Sequence, residues 1–201
     1  MKRMLDLIAA VAGMILLSPV FVAVAIAVRM ALGRPVLFRQ SRIGYKERPF
    51  TLYKFRTMTD AVARHGVPLP DKERLTRIGQ FLRRASLDEL PQLWNVLRGD
   101  MSLVGPRPLL LQYLPRYTPQ QRRRHEVLPG LTGWAQVMGR NSISWDRRLQ
   151  LDTWYVEHRN LWLDFRILAM TLRLLFLNRD ISRNGHVTMP EFLGSSTGHD
   201  L

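Results

Sequence analysis

Apolar residues in this chain fall into one long run, one amphipathic stripe and several short clusters between glycines and prolines. The long run, residues 7–28, holds 22 positions without a charge. That is enough for a helix through a hydrocarbon core about 30 Å thick. Three structures satisfy it. A cleaved signal peptide uses Lys2-Arg3, the run itself and a small-residue site at Ala23-Val24-Ala25 or Ala25-Ile26-Ala27. A spanning helix uses the whole run. A re-entrant helix uses Ser18-Pro19, near the middle, where proline removes a helix hydrogen bond and kinks the chain. Positive charge flanks both ends, with Lys2 and Arg3 before and Arg29, Arg34, Arg39 and Arg42 after. A crossing helix biases charge to one side, so this flanking favours the re-entrant form.

After Gly33 the pattern is that of a small, mostly helical α/β domain. Residues 35–40 and 50–58 are rich in β-branched and aromatic side chains and are expected to pair as strands around a turn at Gly44. Residues 59–71, with Gly66, Pro68 and Pro70, read as loop. Residues 75–84 read as a helix with a strongly basic face, and 86–97 as a helix stopping at Gly99. Pro106 and Pro108 break the chain before the apolar stretch 109–114. Thr118-Pro119 is an N-cap followed by proline at the first helical position, opening a helix through 122–125. Pro129-Gly130 ends it, and Gly133 and Gly139 punctuate an extended loop. Positions 161, 165, 168, 172, 175 and 176 space an amphipathic helix over 161–177. Such a helix packs on the core or lies in a membrane interface. The polar residues 181–201 are expected to form a loose tail.

The composition narrows the partners. At 201 residues and 46% hydrophobic, the chain is the size of one domain with its own core. Arginine supplies 26 of 30 cations against 16 acids, giving a formal charge of +14. Residues 33–150 carry 22 cations and 9 acids, so nearly all the excess lies in the middle. Guanidinium forks match phosphate oxygens. The expected partner is therefore an anion: nucleic acid, a membrane surface or a phosphorylated small molecule. The absence of cysteine excludes disulfide scaffolds, thiol catalysis and cysteine-bound metals.

The sharpest local feature is Ser86-Leu87-Asp88-Glu89-Leu90-Pro91. One reading is a capping box, with Ser86 as cap and Glu89 three residues on. The other starts the helix at Pro91, which fits best at a first helical position, and leaves Asp88 and Glu89 free just ahead of its positive end. Adjacent carboxylates in that place bind a divalent ion with hard oxygen ligands, or split roles with one as nucleophile toward phosphorus. Arg107 is enclosed by Gly105, Pro106 and Pro108, and Arg140 follows Gly139. Arg83 and Arg84 precede the carboxylates by a few residues. The five histidines show no metal spacing, and the common nucleotide-binding glycine loops and the G-x-S-x-G elbow are missing.

Together these stretches resemble the bacterial sugar transferases, the small monotopic phosphoglycosyl transferases that act on polyprenol phosphate. The resemblance rests on YKFRTM at 53–58, on SLDELPQLWNVLRGDMSLVGPRP at 86–108, and on PGLTGWAQ at 129–136 with Gly139-Arg140-Asn141. Lys2-Arg3, Asp6 and Ser18-Pro19 fit the family's re-entrant membrane helix. The resemblance implies a re-entrant anchor over 1–32, a catalytic domain over 33–180 carrying a short β-hairpin and interfacial amphipathic helices, and a tail over 181–201. It implies transfer of a phosphosugar from a UDP-sugar to polyprenol phosphate with release of UMP. Asp88 would be the nucleophile and Glu89 its partner, with Mg²⁺ near both. Arg107 and Arg140 would meet the nucleotide-sugar phosphates, with Gln136 and Lys54 as further substrate contacts, and Arg83 the lipid headgroup. The expected place is the cytoplasmic face of the inner membrane, among phospholipids. The rival expectation is a basic nucleic-acid-binding domain with an apolar anchor.

Overall fold

The computed structural model describes residues 1–60, 69–139, 143–176 and 191–194, and in it the apolar run is two helices rather than one. Helix α1 (Lys2–Leu16) and helix α2 (Ser18–Leu32) meet at Leu17 with a bend of 62°. Pro19 lies in the first turn of α2, where its missing N–H costs least. Ser18 Oγ donates to Ile15 O at 2.8 Å, supplying a partner where the ladder breaks. Among the described residues no single helix is long and apolar enough to cross a membrane, though the bent pair together has the length and composition to enter one.

Each arm packs one side on the domain and leaves the other bare. Ala10 of α1 is buried with Leu52, Leu93, Val96 and Met101. Val24 and Val28 of α2 are buried with Phe55 and Leu82. Met4, Ile8, Ile15, Val22, Ile26 and Met30 are exposed. The start of α1 is also tied down by polar bonds. Asp6 accepts from Ser102 Oγ at 2.8 Å and Leu103 N at 3.1 Å. Lys2 Nζ reaches Asp164 at 2.5 Å, and Arg3 donates to Leu97 O at 3.2 Å.

Strands β1 (Leu37–Ile43) and β2 (Pro49–Phe55) form the expected antiparallel hairpin, registered Leu37↔Phe55 to Ile43↔Pro49. The first strand runs three residues beyond its expected end at 40, and the second stops at 55. The domain then continues through helices α3 (Asp71–Arg74), α4 (Arg77–Arg84) and α5 (Gln92–Arg98). Strand β3 (Ser102–Val104) follows, then helix α6 (Pro119–Arg122), capped by Thr118 and Gln121 as a capping box, and strand β4 (Gly130–Thr132). Helices α7 (Trp134–Met138), α8 (Trp145–His158) and α9 (Leu161–Phe176) complete the order. The architecture is mostly helical. Its second small sheet pairs β3 parallel to β4; β4 and α7 fall where an extended loop was expected after Pro129-Gly130, and α8 where no element was expected.

Helix α9 buries Leu163 and Ile167 against Val104, Val137 and Tyr155, while Trp162, Phe165 and Leu172 stay exposed on its other side. The tail is not loose where it is described. Phe192 is 1% exposed, seated among Tyr113, Tyr117 and Trp145, and Arg116 binds Glu191 at 2.8 Å.

Candidate active site

Leu87-Asp88-Glu89 form one 3-10 turn between α4 and α5. Ser86 sits in the left-handed region at φ 55° and makes no capping bond, so the capping-box alternative does not hold. Instead α5 starts directly after Pro91, and both carboxylates precede it. A left-handed residue breaks the helix that the spacing alone would have carried through, and that turn aims Asp88 and Glu89 inward.

Lys54, on β2, lies with Nζ 2.5 Å from Glu89 Oε1 and 4.0 Å from Asp88 Oδ2. Arg107 Nη2 donates to the same Glu89 Oε1 at 2.6 Å. Glu89 thus receives two cations on one oxygen, leaving Oε2 outside these contacts. Asp88 is 7% exposed. Burial pushes its carboxyl up to about 6, the Glu89 charge adds to this, and Lys54, Arg83 and Arg107 pull against it. Burial acts on Glu89 as well, but Arg107 and Lys54 overcome it and hold that carboxyl well below the usual carboxylate range. Burial lowers the Lys54 amine despite Glu89. Two neighbouring carboxylates are therefore split: Glu89 stays ionised, and Asp88 titrates near neutrality.

Arg83 approaches Asp88 from α4. Its Nε donates to Thr57 Oγ1 at 3.0 Å, and its charge acts on Asp88. This approach requires glycine at position 79, where a Cβ would stand 2.0 Å from Thr57 O. Gln136, on α7, has both amide atoms buried and without a hydrogen-bond partner among the described residues. It lies over the crossing of the Gly105 and Gly133 backbones. A Cβ on Gly133 would meet Gly105 O at 2.1 Å and Gln136 Oε1 at 2.5 Å. That crossing leads into Pro106-Arg107. An unmet buried amide costs about 1–3 kcal/mol, and such a group asks for a partner.

The structure thus brings Asp88, Glu89, Lys54, Arg107 and Arg83 together and sets Gln136 beside the Arg107 loop. Arg140 lies outside the described residues. Ser18 and Pro19 sit at the helix bend. Among the described residues no cluster of three or more His, Asp or Glu could hold a metal ion. The two carboxylates alone still suit Mg²⁺, which is commonly held by one or two carboxylates plus substrate phosphate.

Four residues near the site carried no sequence signal. Arg124 and Asp152 form a buried pair at 2.7 Å, and Arg124 also donates to Arg107 O at 2.7 Å. Arg42 and Arg148 are each lowered to about 10 by burial, with the Arg107 charge adding to it. Among 26 arginines, nothing in their spacing separates these three from solvated ones.

Comparison with known proteins matches residues 1–178 to the family described as bacterial sugar transferase. The uncharacterized sugar transferase EpsL of Bacillus subtilis (strain 168) is 51% identical over 195 residues, 97% of this chain and 96% of that protein. The UDP-N-acetylgalactosamine-undecaprenyl-phosphate N-acetylgalactosaminephosphotransferase of Aeromonas hydrophila is 40% identical over 182 residues, 87% of this chain but 43% of that protein. The UDP-glucose:undecaprenyl-phosphate glucose-1-phosphate transferase of Escherichia coli (strain K12) is 37% identical over 191 residues, 89% of this chain and 41% of that protein.

Proposed function

Because the chain belongs to the bacterial sugar transferase family, we propose that it moves a sugar phosphate from a UDP-sugar onto polyprenol (undecaprenyl) phosphate and releases UMP. The observation that carries this reading is the split dyad: a buried carboxylate at Asp88, ringed by Lys54, Arg83 and Arg107, beside an ionised Glu89. A desolvated carboxylate is a better nucleophile, and the surrounding cations offset phosphate charge as it approaches.

In the first step an Asp88 oxygen bonds to the β-phosphorus, and the bond from that phosphorus to the bridging oxygen breaks. The electron pair leaves with UMP. In the second step an oxygen of polyprenol phosphate attacks the same phosphorus, and the acyl phosphate opens to restore the Asp88 carboxylate. Glu89 holds Lys54 and Arg107 in place through its Oε1. Arg107 and Gln136 serve the nucleotide sugar, joined by Arg140, while Arg83 meets the lipid phosphate. Asp88 and Glu89 would also hold Mg²⁺, which neutralises phosphate charge when bound.

The acceptor is a lipid, and the fold provides for it. The bent α1–α2 pair, with basic residues at both ends and bare apolar outer faces, serves as a re-entrant anchor on the cytoplasmic side of the inner membrane. The exposed Trp162, Phe165 and Leu172 of α9 lie in the interface. The nucleic-acid reading has no comparable support, since the site's cations face carboxylates instead of lining an open surface groove. The test is intact-mass spectrometry after incubation with a panel of UDP-sugars and no acceptor. A phosphosugar adduct on wild type and none on Asp88→Asn is the expected result. Turnover without any adduct, requiring both substrates together, argues for direct transfer.

A further inference from the structure

Lys54 reaches Glu89 from a strand with one open edge. Among the described residues β2 pairs only with β1, so peptide groups on its other side need partners from elsewhere. Two of them are taken by a single side chain. Asn95 Nδ2 donates to Thr51 O at 2.7 Å, and Asn95 Oδ1 accepts from Tyr53 N at 3.2 Å. Nδ2 also donates to Asp100 Oδ2 at 3.1 Å. Turning the amide over would set oxygen against oxygen and donor against donor at every one of these bonds, so its orientation is fixed. Asn95 is 0% exposed, in the middle of α5. Its amide gives the edge of β2 one donor and one acceptor, as a residue of a neighbouring strand would.

The same helix leads back to the dyad. Leu90 N donates to Leu87 O at 3.3 Å, Leu93 N to Leu90 O at 3.0 Å and Trp94 N to Pro91 O at 3.1 Å. The Asp88-Glu89 turn and α5 are thus one hydrogen-bonded unit. Lys54 follows Tyr53 directly, and its Nζ meets Glu89 Oε1 at 2.5 Å. The contacts close a ring from Tyr53 through Lys54, Glu89 and the start of α5 to Asn95 and back. Apolar packing alone does not set this ring. Leu52, between the two clamped residues, is buried with Leu93 and Val96 of α5, but such contact has no direction along the strand. A slip of one residue would move β2 by about 3.3 Å and turn Lys54 to its other face. An amide bonded to both Thr51 and Tyr53 permits one register.

Resting on the transfer proposed above, we infer that Asn95 is a positioning residue: by clamping Thr51 and Tyr53 to α5, it holds the Lys54 ammonium against Glu89 and 4.0 Å from Asp88. Asn95 has no contact with either carboxylate of the dyad in its own hydrogen bonds, and its effect on the reaction passes through Lys54. That ammonium offers its charge to the phosphate approaching Asp88, and such a charge is worth most when it is already in place. A role confined to closing the strand edge would cost stability and leave Lys54 where it is.

The experiment is a double-mutant cycle on the full chain in detergent, joined to lysine labelling read by peptide mass spectrometry. Asn95→Ser removes the amide and leaves room for water at the strand edge. It should lower kcat/KM for UMP release about 10–100-fold, the scale of a charged group misplaced at a reacting centre. In a Lys54→Met background the same change should cost less than about twofold, because the group that Asn95 positions is gone. Labelling needs no turnover. An amine-acylating reagent should modify Lys54 about tenfold faster or more in Asn95→Ser than in wild type, as local protection is lost. Lys2, tied to Asp164 at 2.5 Å, should keep its wild-type rate and so report any general loosening. Should Asn95→Ser fail to fold, Asp100→Ala removes only the bond that orients the amide and should give the same pattern on a several-fold scale. Unfolding midpoints of all variants are checked against wild type. A Lys54 labelling rate that stays at the wild-type value overturns the inference, as does a kcat/KM loss of equal size with and without Lys54. A wild type that releases no UMP from any UDP-sugar, but whose Lys54 is unmasked when Asn95 is replaced, would sink the transfer reading and leave the clamp standing.

Discussion

Arg124 with Asp152, and Lys54 with Asp88, Glu89 and Arg107, are both acid–base clusters inside one small domain, joined through the Arg107 backbone. The first closes on itself. Its side chains are 1% and 2% exposed, and the Asp152 carboxylate takes two bonds from one guanidinium. The second stays open. Arg107 is 37% exposed, Glu89 uses one oxygen for both of its cations, and among the described residues Asp88 has only Lys54 at 4.0 Å as an ion-pair partner. A closed pair spends its charge on holding a shape; an open one keeps charge in reserve for a ligand. The carbonyl of Arg107 shows how the two cooperate, since Arg124 fixes the loop from which Arg107 reaches the dyad.

Replacing Asp88 with Asn tests the open cluster most severely. UMP release should fall by several orders of magnitude, since the variant lacks the covalent nucleophile. Stability should move the other way. The Asp88 carboxyl is raised in the folded chain, from 3.8 to about 6, so its ionisation above pH 6 disfavours the fold. The variant should melt at or above the wild-type temperature at pH 8. A lower melting temperature there would make Asp88 a structural group.

Asp152→Asn probes the closed cluster. It leaves a guanidinium buried without its charge partner, which costs about 3–5 kcal/mol. Chemical denaturation should report that loss, with the slope unchanged. A variant of wild-type stability that had lost activity would erase the contrast drawn between the two clusters.

The pH dependence separates them more finely. Asp88 attacks as the carboxylate, so kcat/KM should fall as pH drops through about 6. Lys54 pulls that carboxyl down, and Lys54→Met should move the acid limb to higher pH. A limb that stays in place removes Lys54 from the account. The smallest effect belongs to a surface pair used as reference. Arg123 meets Glu157 at 2.5 Å with both side chains more than a third exposed, and Arg123→Gln should change stability by no more than about 1 kcal/mol.

Much of the framework was readable before any fold. Pro19 announced the helix break, because within one continuous helix its missing N–H removes a hydrogen bond, whereas in the first turn of a new helix that N–H is not needed. Thr118-Pro119 announced a cap for the same local reason. Residues 86–97 misled, because Ser86 and Glu89 carry capping-box spacing while the left-handed turn at Ser86 depends on how α4 and α5 are packed. Helix α8 escaped because its buried face includes Arg148 and Asp152, so a search for an apolar stripe finds none. Strands β3 and β4 are three residues each, too short for alternation to register, and they pair parallel across a long separation. Phe192 looked like part of a polar tail until its aromatic neighbours were in place.

The order of residues alone determined the bend in the apolar arm, the basic middle and the place of the two adjacent carboxylates. Those features are local: they follow from what proline, an uncharged run or neighbouring side chains do over a few positions. Only the tertiary structure decided that Asp88 is raised while Glu89 is lowered, and that Arg124 is spent on Asp152. A carboxyl's charge state is set by how much water is removed and by which cations come within a few ångströms. Lys54, Arg83 and Arg107 act on these two carboxyls only when the chain has closed around them.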